Sequence, residues 1–192
     1  MLRKEGGDGH SLLCAALSSA TPKTCPPHTG SLTPTSSHHS QPQAVLGLTF
    51  NWGALLGTAA VTGSIDPPAF ALYAAGVAWT LAYDTVYAFQ DVAHDEAAGV
   101  RSSARALRAR GAERAGVAAF WCAALAGLAG AGSLAGLSPA FYGGLAVAAG
   151  HAGWQVAAWR PADAADCGAK FRSNATFGGI VFAAIVVGRV AG

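Results

Sequence analysis

Charged side chains are scarce in this chain. Only 11% of its 192 residues are Asp, Glu, Lys or Arg, against about 25% in an ordinary soluble domain. Between residues 41 and 83 the one acid or base is Asp66, and between residues 115 and 159 it is His151. Uncharged runs of that length are too long for the core of a small soluble protein. The sequence therefore predicts a chain that lies in a lipid bilayer.

Pairing patterns of cysteine are also missing. The four cysteines form no CxxC motif, and no histidine stands at metal-ligand spacing from them. This pattern predicts packing residues in a reducing compartment and argues against disulfides and a zinc site. The four are Cys14, Cys25, Cys122 and Cys167.

Helical periodicity is absent from the first 40 residues, which are rich in Ser, Thr, Pro and His. Such a segment buries too little apolar surface to offset its ordering entropy, so we predict a disordered leader over 1–40. A non-native leader is one alternative. A transit peptide is the other, since Glu5 and Asp8 are the only acids, although arginine is also sparse. The membrane domain is predicted over 41–192.

Long apolar stretches fill most of the remaining chain. We predict five membrane helices, of which four hold roughly 20 apolar residues, enough for about 30 Å of helix. The fifth is shorter and contains Arg189, and the many Ala and Gly residues favour close helix packing. The predicted fold class is all-α, a multi-pass transmembrane helix bundle. The helices are Ala44–Gly63, Ala69–Phe89, Ala115–Gly136, Ala140–Trp159 and Thr176–Val190.

Basic residues gather in two polar connections, Gln90–Arg114 and Arg160–Ser173. Because successive helices alternate in direction, both connections lie on one side of the membrane. Eight basic residues lie in them and none in the connections on the opposite side, which is a positive-inside pattern. This side is predicted to face the cytoplasm or the mitochondrial matrix. The eight are Arg101, Arg105, Arg108, Arg110, Arg114, Arg160, Lys170 and Arg172.

Three acids, Asp84, Asp91 and Asp95, lie at the end of the second predicted helix. If the helix continued through all three, each of the later two would lie within about 20° of Asp84 around the helix axis. Acids so placed repel one another and are costly in a membrane, which indicates a cation that offsets the repulsion. Carboxylates suit Mg²⁺, which prefers oxygen ligands and substrate phosphates. The cluster therefore predicts a magnesium site.

Arg101, six residues after Asp95, is the predicted contact for the outer oxygens of a magnesium-bound diphosphate. The later arginines of that connection are predicted to set topology or to meet anionic lipid. Two roles stay open for Tyr83 and Tyr87, which line an aromatic-substrate pocket or serve as interfacial aromatics. For His94 the alternatives are a part in the metal site and a solvated position at the helix end.

Four segments resemble the UbiA-type intramembrane prenyltransferases. Residues 47–57, Gly-Leu-Thr-Phe-Asn-Trp-Gly-Ala-Leu-Leu-Gly, are similar to the fifth helix of that family. Residues 79–91, Trp-Thr-Leu-Ala-Tyr-Asp-Thr-Val-Tyr-Ala-Phe-Gln-Asp, resemble its second aspartate-rich motif. Residues 99–103, Gly-Val-Arg-Ser-Ser, resemble the Gly-Val-Lys-Ser-Thr segment that follows this motif. Residues 166–174, with Asp-Cys and then Lys-Phe-Arg-Ser-Asn, resemble the polar connection before the ninth helix.

Within the family, these segments are most similar in sequence to members from plant and algal mitochondria. Those members join a polyprenyl diphosphate to the ring of 4-hydroxybenzoate, a step of ubiquinone biosynthesis. The resemblance implies that Asp91 and Asp95 hold Mg²⁺ on the diphosphate, whose departure leaves an allylic cation. It also implies that Asp84 orients or polarises the aromatic acceptor, with Tyr87 beside it. Substrate contacts are implied for Arg101, Asn51, Lys170 and Arg172.

Two departures from the family pattern qualify that expectation. His94 stands where the family usually has an acid, and the first motif of the family, Asn-Asp-x-x-Asp-x-x-x-Asp, is missing. The chain is therefore expected to correspond to the last five helices of a nine-helix enzyme and to be inactive alone. Two alternatives stay open, a small transporter that uses intramembrane acids and a non-catalytic structural fragment.

The resemblance also implies a location and partners. The expected location is the mitochondrial inner membrane with the acidic cluster facing the matrix, or the bacterial inner membrane in a prokaryote. The expected partners are polyprenyl diphosphate, 4-hydroxybenzoate, the lipid bilayer and other ubiquinone-biosynthesis proteins. No nucleic-acid partner is expected.

Overall fold

The described residues of the computed structural model, 42–92 and 102–192, form α-helices and the turns between them, with no strand among them. The prediction of an all-α bundle is confirmed. The acids and bases at 94, 95 and 101 lie outside the described residues. In chain order the helices are α1 (Pro42–Phe50), α2 (Trp52–Thr62), α3 (Pro67–Ala88), α4 (Ser103–Arg108), α5 (Glu113–Leu134), α6 (Pro139–Ala158) and α7 (Ala164–Val190).

Three spans are long and apolar enough to cross a membrane by length and composition: Gln43–Thr62, Glu113–Leu134 and Ala164–Val190. The first joins α1 and α2, which are separated only by a turn at Asn51. Helices α3 and α6, with 22 and 20 residues, are also of spanning length. The chain is therefore a multi-pass membrane helix bundle, and the bounds predicted for α3, α5 and α6 differ from the structure by one or two residues.

The last helix begins earlier than predicted. Helix α7 starts at Ala164, so most of the stretch expected to be a polar connection is helical. Asp163 caps the helix, since its Oδ1 accepts hydrogen bonds from the backbone N–H groups of Ala165 (3.0 Å) and Asp166 (3.2 Å). The polar residues of the first turns bond within the helix. Lys170, four residues after Asp166, forms an ion pair with it at 3.0 Å.

The end of α3 also differs from the prediction. The helix ends at Ala88, before Asp91, so the continuous helix that would align Asp84 with Asp91 is not present. The backbone N–H groups of residues 89, 90 and 91 each donate to the carbonyl three residues earlier, at 3.0–3.3 Å. Such tightened turns satisfy the last carbonyls of a helix. Phe89 and Val92 remain buried, each 4% exposed.

Small residues bring the helices close together, as predicted. Helix α3 packs against α1, α5 and α7, and α6 packs against α7. At the α3–α5 crossing, a Cβ on Gly127 would lie 2.9 Å from the Cβ of Ala75, and at the α6–α7 crossing Gly144 faces Ala184 in the same way. Any larger side chain at these glycines would force the helices apart. The rings of Trp121 and Phe177 fill the space between α5 and α7 at 4.7 Å between centroids.

The described parts of the two predicted polar connections lie at one end of the bundle, which we call the polar end. Arg114 at the start of α5 donates to the carbonyls of Val156, Ala157 and Trp159 at the end of α6. The rings of Phe89 and Trp159 then join the ends of α3 and α6. A basic residue of the last helix, and not of a connection, lies at the opposite end. Arg189 lies there and donates to the carbonyl of Ala135 at 3.4 Å, because α7 ends where α5 ends.

Candidate functional site

Asp84 lies near the last turn of α3 beside a cluster of aromatic rings from α3 and α7. The side chain of Asp84 is half-buried. Tyr83 and Tyr87, one residue before and three after it, both contact Phe171 of α7, with ring centroids 5.6 Å and 4.6 Å apart. Tyr87 is 44% exposed, whereas Tyr83 is half-buried. Asp84 therefore lies on α3 between two tyrosines of an aromatic surface, at the polar end.

Trp79 extends this aromatic surface toward the middle of the bundle. Its ring contacts Tyr83 on the same helix and Phe177 on α7, with centroids 6.0 Å and 4.9 Å apart. The indole Nε1–H donates to Oδ1 of Asn174 at 3.0 Å. Asn174 in turn donates to the carbonyls of Lys170 and Phe171, both at 3.1 Å. Because its carboxamide is fixed by two carbonyls, Asn174 holds the Trp79 ring in one orientation.

Asn51 lies at the turn between α1 and α2 and faces α3. Its Nδ2 donates to the carbonyl of Gly47 at 2.8 Å and to the hydroxyl of Thr80 at 2.9 Å. The carboxamide packs directly on Gly76, where any Cβ would collide with it. Asn51 thus joins α1 to α3 at the turn between α1 and α2.

A cavity of about 320 Å³ lies between these groups. Its aromatic and polar side chains are contributed by α1, α3, α7 and the turn at Asn51. They include Phe50, Trp79, Tyr83, Phe171, Asn51 and Arg172. Three residues that the sequence placed in or near a substrate site, Asn51, Tyr83 and Arg172, are therefore brought together. An aromatic cavity with a guanidinium at its edge is suited to an apolar molecule with an anionic head.

Lys170 lies apart from Arg172 in both burial and contacts. The Lys170 side chain is 7% exposed, pairs with Asp166 at 3.0 Å, and has its Nζ 4.6 Å from the centroid of the Trp154 ring. The Arg172 side chain is exposed and makes no hydrogen bond or ion pair within the described part of the chain. Of these two predicted substrate contacts, Arg172 has the unused donors. The role of Lys170 as a contact stays a prediction.

Asp91, a predicted magnesium ligand, is exposed at the polar end just beyond α3. No other described side chain forms a hydrogen bond or ion pair with its carboxylate, so both oxygens are open to a cation. This donor chemistry fits Mg²⁺. Within residues 42–92 and 102–192, no three His, Cys, Asp or Glu side chains form a metal-binding group. The partner ligand predicted at Asp95, and Arg101 with it, lie outside the described residues.

The family model that matches the chain describes the UbiA prenyltransferase family and covers residues 28–188. The chain belongs to this family. It is 47% identical over 149 residues to "4-hydroxybenzoate polyprenyltransferase, mitochondrial" of Arabidopsis thaliana, covering 77% of this chain and 36% of the relative. It is 41% identical over 150 residues to "4-hydroxybenzoate geranyltransferase 2" of Lithospermum erythrorhizon, covering 78% of this chain and 48% of the relative.

A human relative, "4-hydroxybenzoate polyprenyltransferase, mitochondrial", is 42% identical over 150 residues, which is 78% of this chain and 40% of the relative. The UbiA chain thus spans between about a third and a half of the length of these three relatives. No solved structure matches it.

Sequence reasoning missed several residues of the site in this UbiA chain. Trp79, Phe171 and Asn174 lie within the quoted motifs, but the sequence assigned them no role. Trp79, Tyr83 and Tyr87 are spaced by four residues, a spacing that places them on one helix face and that signals a continuous aromatic surface. The bond between Trp79 and Asn174 had no such signal, since 95 residues separate the two in the chain.

Proposed function

We propose that the chain acts in the transfer of a polyprenyl group from its diphosphate to the ring of 4-hydroxybenzoate, in ubiquinone biosynthesis. The observation that carries the proposal is the aromatic cavity of a UbiA family chain, with Arg172 and Tyr83, the residue before Asp84, in its lining. The names of the relatives indicate the acceptor and the prenyl donor. The aromatic walls suit an isoprenoid chain, and the polar end suits its charged head.

The diphosphate would lie at the polar end. Asp91 and Asp95 would hold Mg²⁺ there, and the ion would withdraw charge from the leaving diphosphate. Arg101 and Arg172 would donate to its outer oxygens. The carboxylate of Asp91, which is exposed and has no partner among the described residues, supports this assignment.

The aromatic acceptor would lie beside the ring cluster of Tyr83, Tyr87 and Phe171. The half-buried carboxylate of Asp84 would accept a hydrogen bond from the acceptor and orient its ring toward the prenyl group. Tyr87 would stack against that ring or donate its hydroxyl proton to the carboxylate of 4-hydroxybenzoate. Asn51, through its bonds to Gly47 and Thr80, would keep the cavity open on the α1 side.

The proposed location is the mitochondrial inner membrane, with the polar end facing the matrix. The mitochondrial relatives and the clustering of basic residues at the polar end support it. Protease protection in mitoplasts would test the topology. Cleavage between α4 and α5 by a protease added outside intact mitoplasts would contradict it.

The activity is tested by reconstituting the chain in liposomes with Mg²⁺, a polyprenyl diphosphate and 4-hydroxybenzoate, and by detecting the prenylated acid by mass spectrometry. The missing first motif predicts an inactive chain, whereas the aromatic cavity leads us to expect product from the chain. We expect none from the Asp91→Asn variant. A full-length family member, reconstituted in the same way, is the positive control. Product from the control but none from the chain would overturn the proposal that this chain carries out the transfer.

A further inference from the structure

Gln90, to which the sequence assigned no role, has hydrogen-bonding capacity that the described residues do not use. It lies in the tight turn after α3, and its Nε2 is buried without a hydrogen-bond partner in the described part of the chain. Its position is fixed, because Phe89 before it packs on Trp159 with centroids 5.0 Å apart. The side chain as a whole is half-buried, but a buried N–H donor without a partner is unfavourable, and a ligand that reaches the carboxamide could supply the partner.

Arg172 reaches the same place from α7. It follows Gly168 by four residues, so its side chain leans back over that glycine. A Cβ on Gly168 would lie 3.5 Å from Nη1 of Arg172 and 3.5 Å from Oε1 of Gln90. The carboxamide and the guanidinium therefore approach one point from two sides. Because Gly168 has no side chain, a gap remains between the carboxamide of Gln90 and the guanidinium of Arg172.

The chemistry of the gap favours an anion. The guanidinium of Arg172 is always charged, and its donors are unused within the described residues. Lys170, two residues earlier, is in contrast neutralised by Asp166. The side-chain amide of Gln90 can flip and exchange the positions of Oε1 and Nε2, because these two atoms are distinguished only by their hydrogen bonds. When Nε2 faces the gap, it is a second donor beside the guanidinium.

We propose that Gln90 and Arg172 together bind a phosphate oxygen of the prenyl diphosphate in the gap over Gly168. This inference rests on the proposed function. Gln90 immediately precedes Asp91, so an anion in the gap lies next to the proposed magnesium ligand. Bound phosphate would accept a hydrogen bond from Nε2 when Nε2 faces the gap, and would hold the diphosphate between the end of α3 and the start of α7.

The test measures the affinity of the chain for inorganic pyrophosphate with excess Mg²⁺, by calorimetry in lipid nanodiscs. Gln90→Met keeps the shape of the side chain but removes its polar atoms. We expect about tenfold weaker binding, the loss typical of one hydrogen bond to a charged group. We also expect an unchanged or higher Tm, because the variant removes a buried group without a partner. A structural role of Gln90 would instead lower the Tm.

Two further variants complete the test. Gly168→Ala places a methyl group in the gap at ordinary contact distance from both side chains, so we expect an intact fold and weaker pyrophosphate binding. Arg108→Gln, which changes an exposed arginine of α4, is the control, and we expect it to bind pyrophosphate like the original chain.

Normal pyrophosphate affinity in Gln90→Met, or a lower Tm, would overturn the inference. Weaker binding of 4-hydroxybenzoate with unchanged pyrophosphate binding would also overturn it, since the anion would then be the acceptor carboxylate. Failure of the original chain to bind magnesium pyrophosphate would overturn the proposed function itself. If Asp91→Asn removes the Mg²⁺ dependence and Gln90→Met has no effect, only the pairing of Gln90 with Arg172 is wrong.

Discussion

The indole N–H of Trp79 donates to the carboxamide oxygen of Asn174 at 3.0 Å and thereby joins α3 to α7 beside the aromatic cavity. We predict that Asn174→Ala lowers the free energy of unfolding by about 1–3 kcal/mol, because it leaves a part-buried donor without a partner. Thermal unfolding in detergent micelles measures the loss. Trp79→Phe removes the donor itself, so the double variant should lose less than the two single losses combined. Additive losses would show that the bond contributes nothing.

The guanidinium of Arg114 closes the end of α6. It donates to three carbonyls of that helix end at 2.6–2.9 Å, where a positive charge also complements the helix dipole. We predict that Arg114→Ala lowers the free energy of unfolding by about 1–2 kcal/mol. Arg110→Ala is the matched control, since Arg110 is exposed in the turn before α5. Equal losses in the two variants would contradict the capping role.

Gly76 leaves space for the carboxamide of Asn51. We predict that Gly76→Ala destabilises the chain by about 1–3 kcal/mol, because the new methyl group collides with that carboxamide and overpacks the contact between α3 and the turn at Asn51. The control is Gly130→Ala on α5, where a Cβ would meet nothing within 4 Å. This change should be neutral or stabilising by up to about 1 kcal/mol, from helix propensity alone. Thermal unfolding compares the two, and a stabilising Gly76→Ala would show that α3 shifts freely.

The ion pair between Lys170 and Asp166 is enclosed, with side chains 7% and 10% exposed. We predict that Lys170→Met destabilises the chain by about 3–5 kcal/mol, since it leaves an uncompensated carboxylate. Adding Asp166→Asn should recover part of the loss, because no buried charge then remains. Denaturation of both variants in detergent gives the comparison. A double variant less stable than Lys170→Met would show that the carboxylate is held mainly by the backbone N–H of Arg160, to which it bonds at 2.7 Å.

The bounds of α3, α5 and α6 could be predicted closely because their signals are local. Asp66 accepts a hydrogen bond from the N–H of Ala69 and precedes two prolines, a strong signal for the start of α3. The start of α7 could not be predicted in the same way. The polar residues of its first turns suggested a connection, and the sequence does not show that they bond to one another and to the end of α6.

The candidate site was predicted in part. The aspartate-rich motif and Arg172 could be found from sequence, because residue type and family resemblance both point to them. The prediction that Asp84 and Asp91 share a helix face is wrong, since it required a helix that the tight turn at Gln90 ends. Whether Asp91 and Asp95 bind a metal together stays a prediction. Gln90 could not be assigned from sequence, because its significance lies in the absence of a partner in three dimensions.

The burial of Cys167 gives the chain a chemical reporter at the polar end. Its thiol is fully enclosed and accepts a hydrogen bond from the indole of Trp159 at 3.3 Å, whereas Cys122 on α5 is exposed. An alkylating reagent can reach Cys167 only when the ends of α6 and α7 separate, so the alkylation rate of this one cysteine, followed by peptide mass spectrometry, measures how often they open. Slower alkylation in the presence of a substrate would reveal that the substrate holds those two helix ends together.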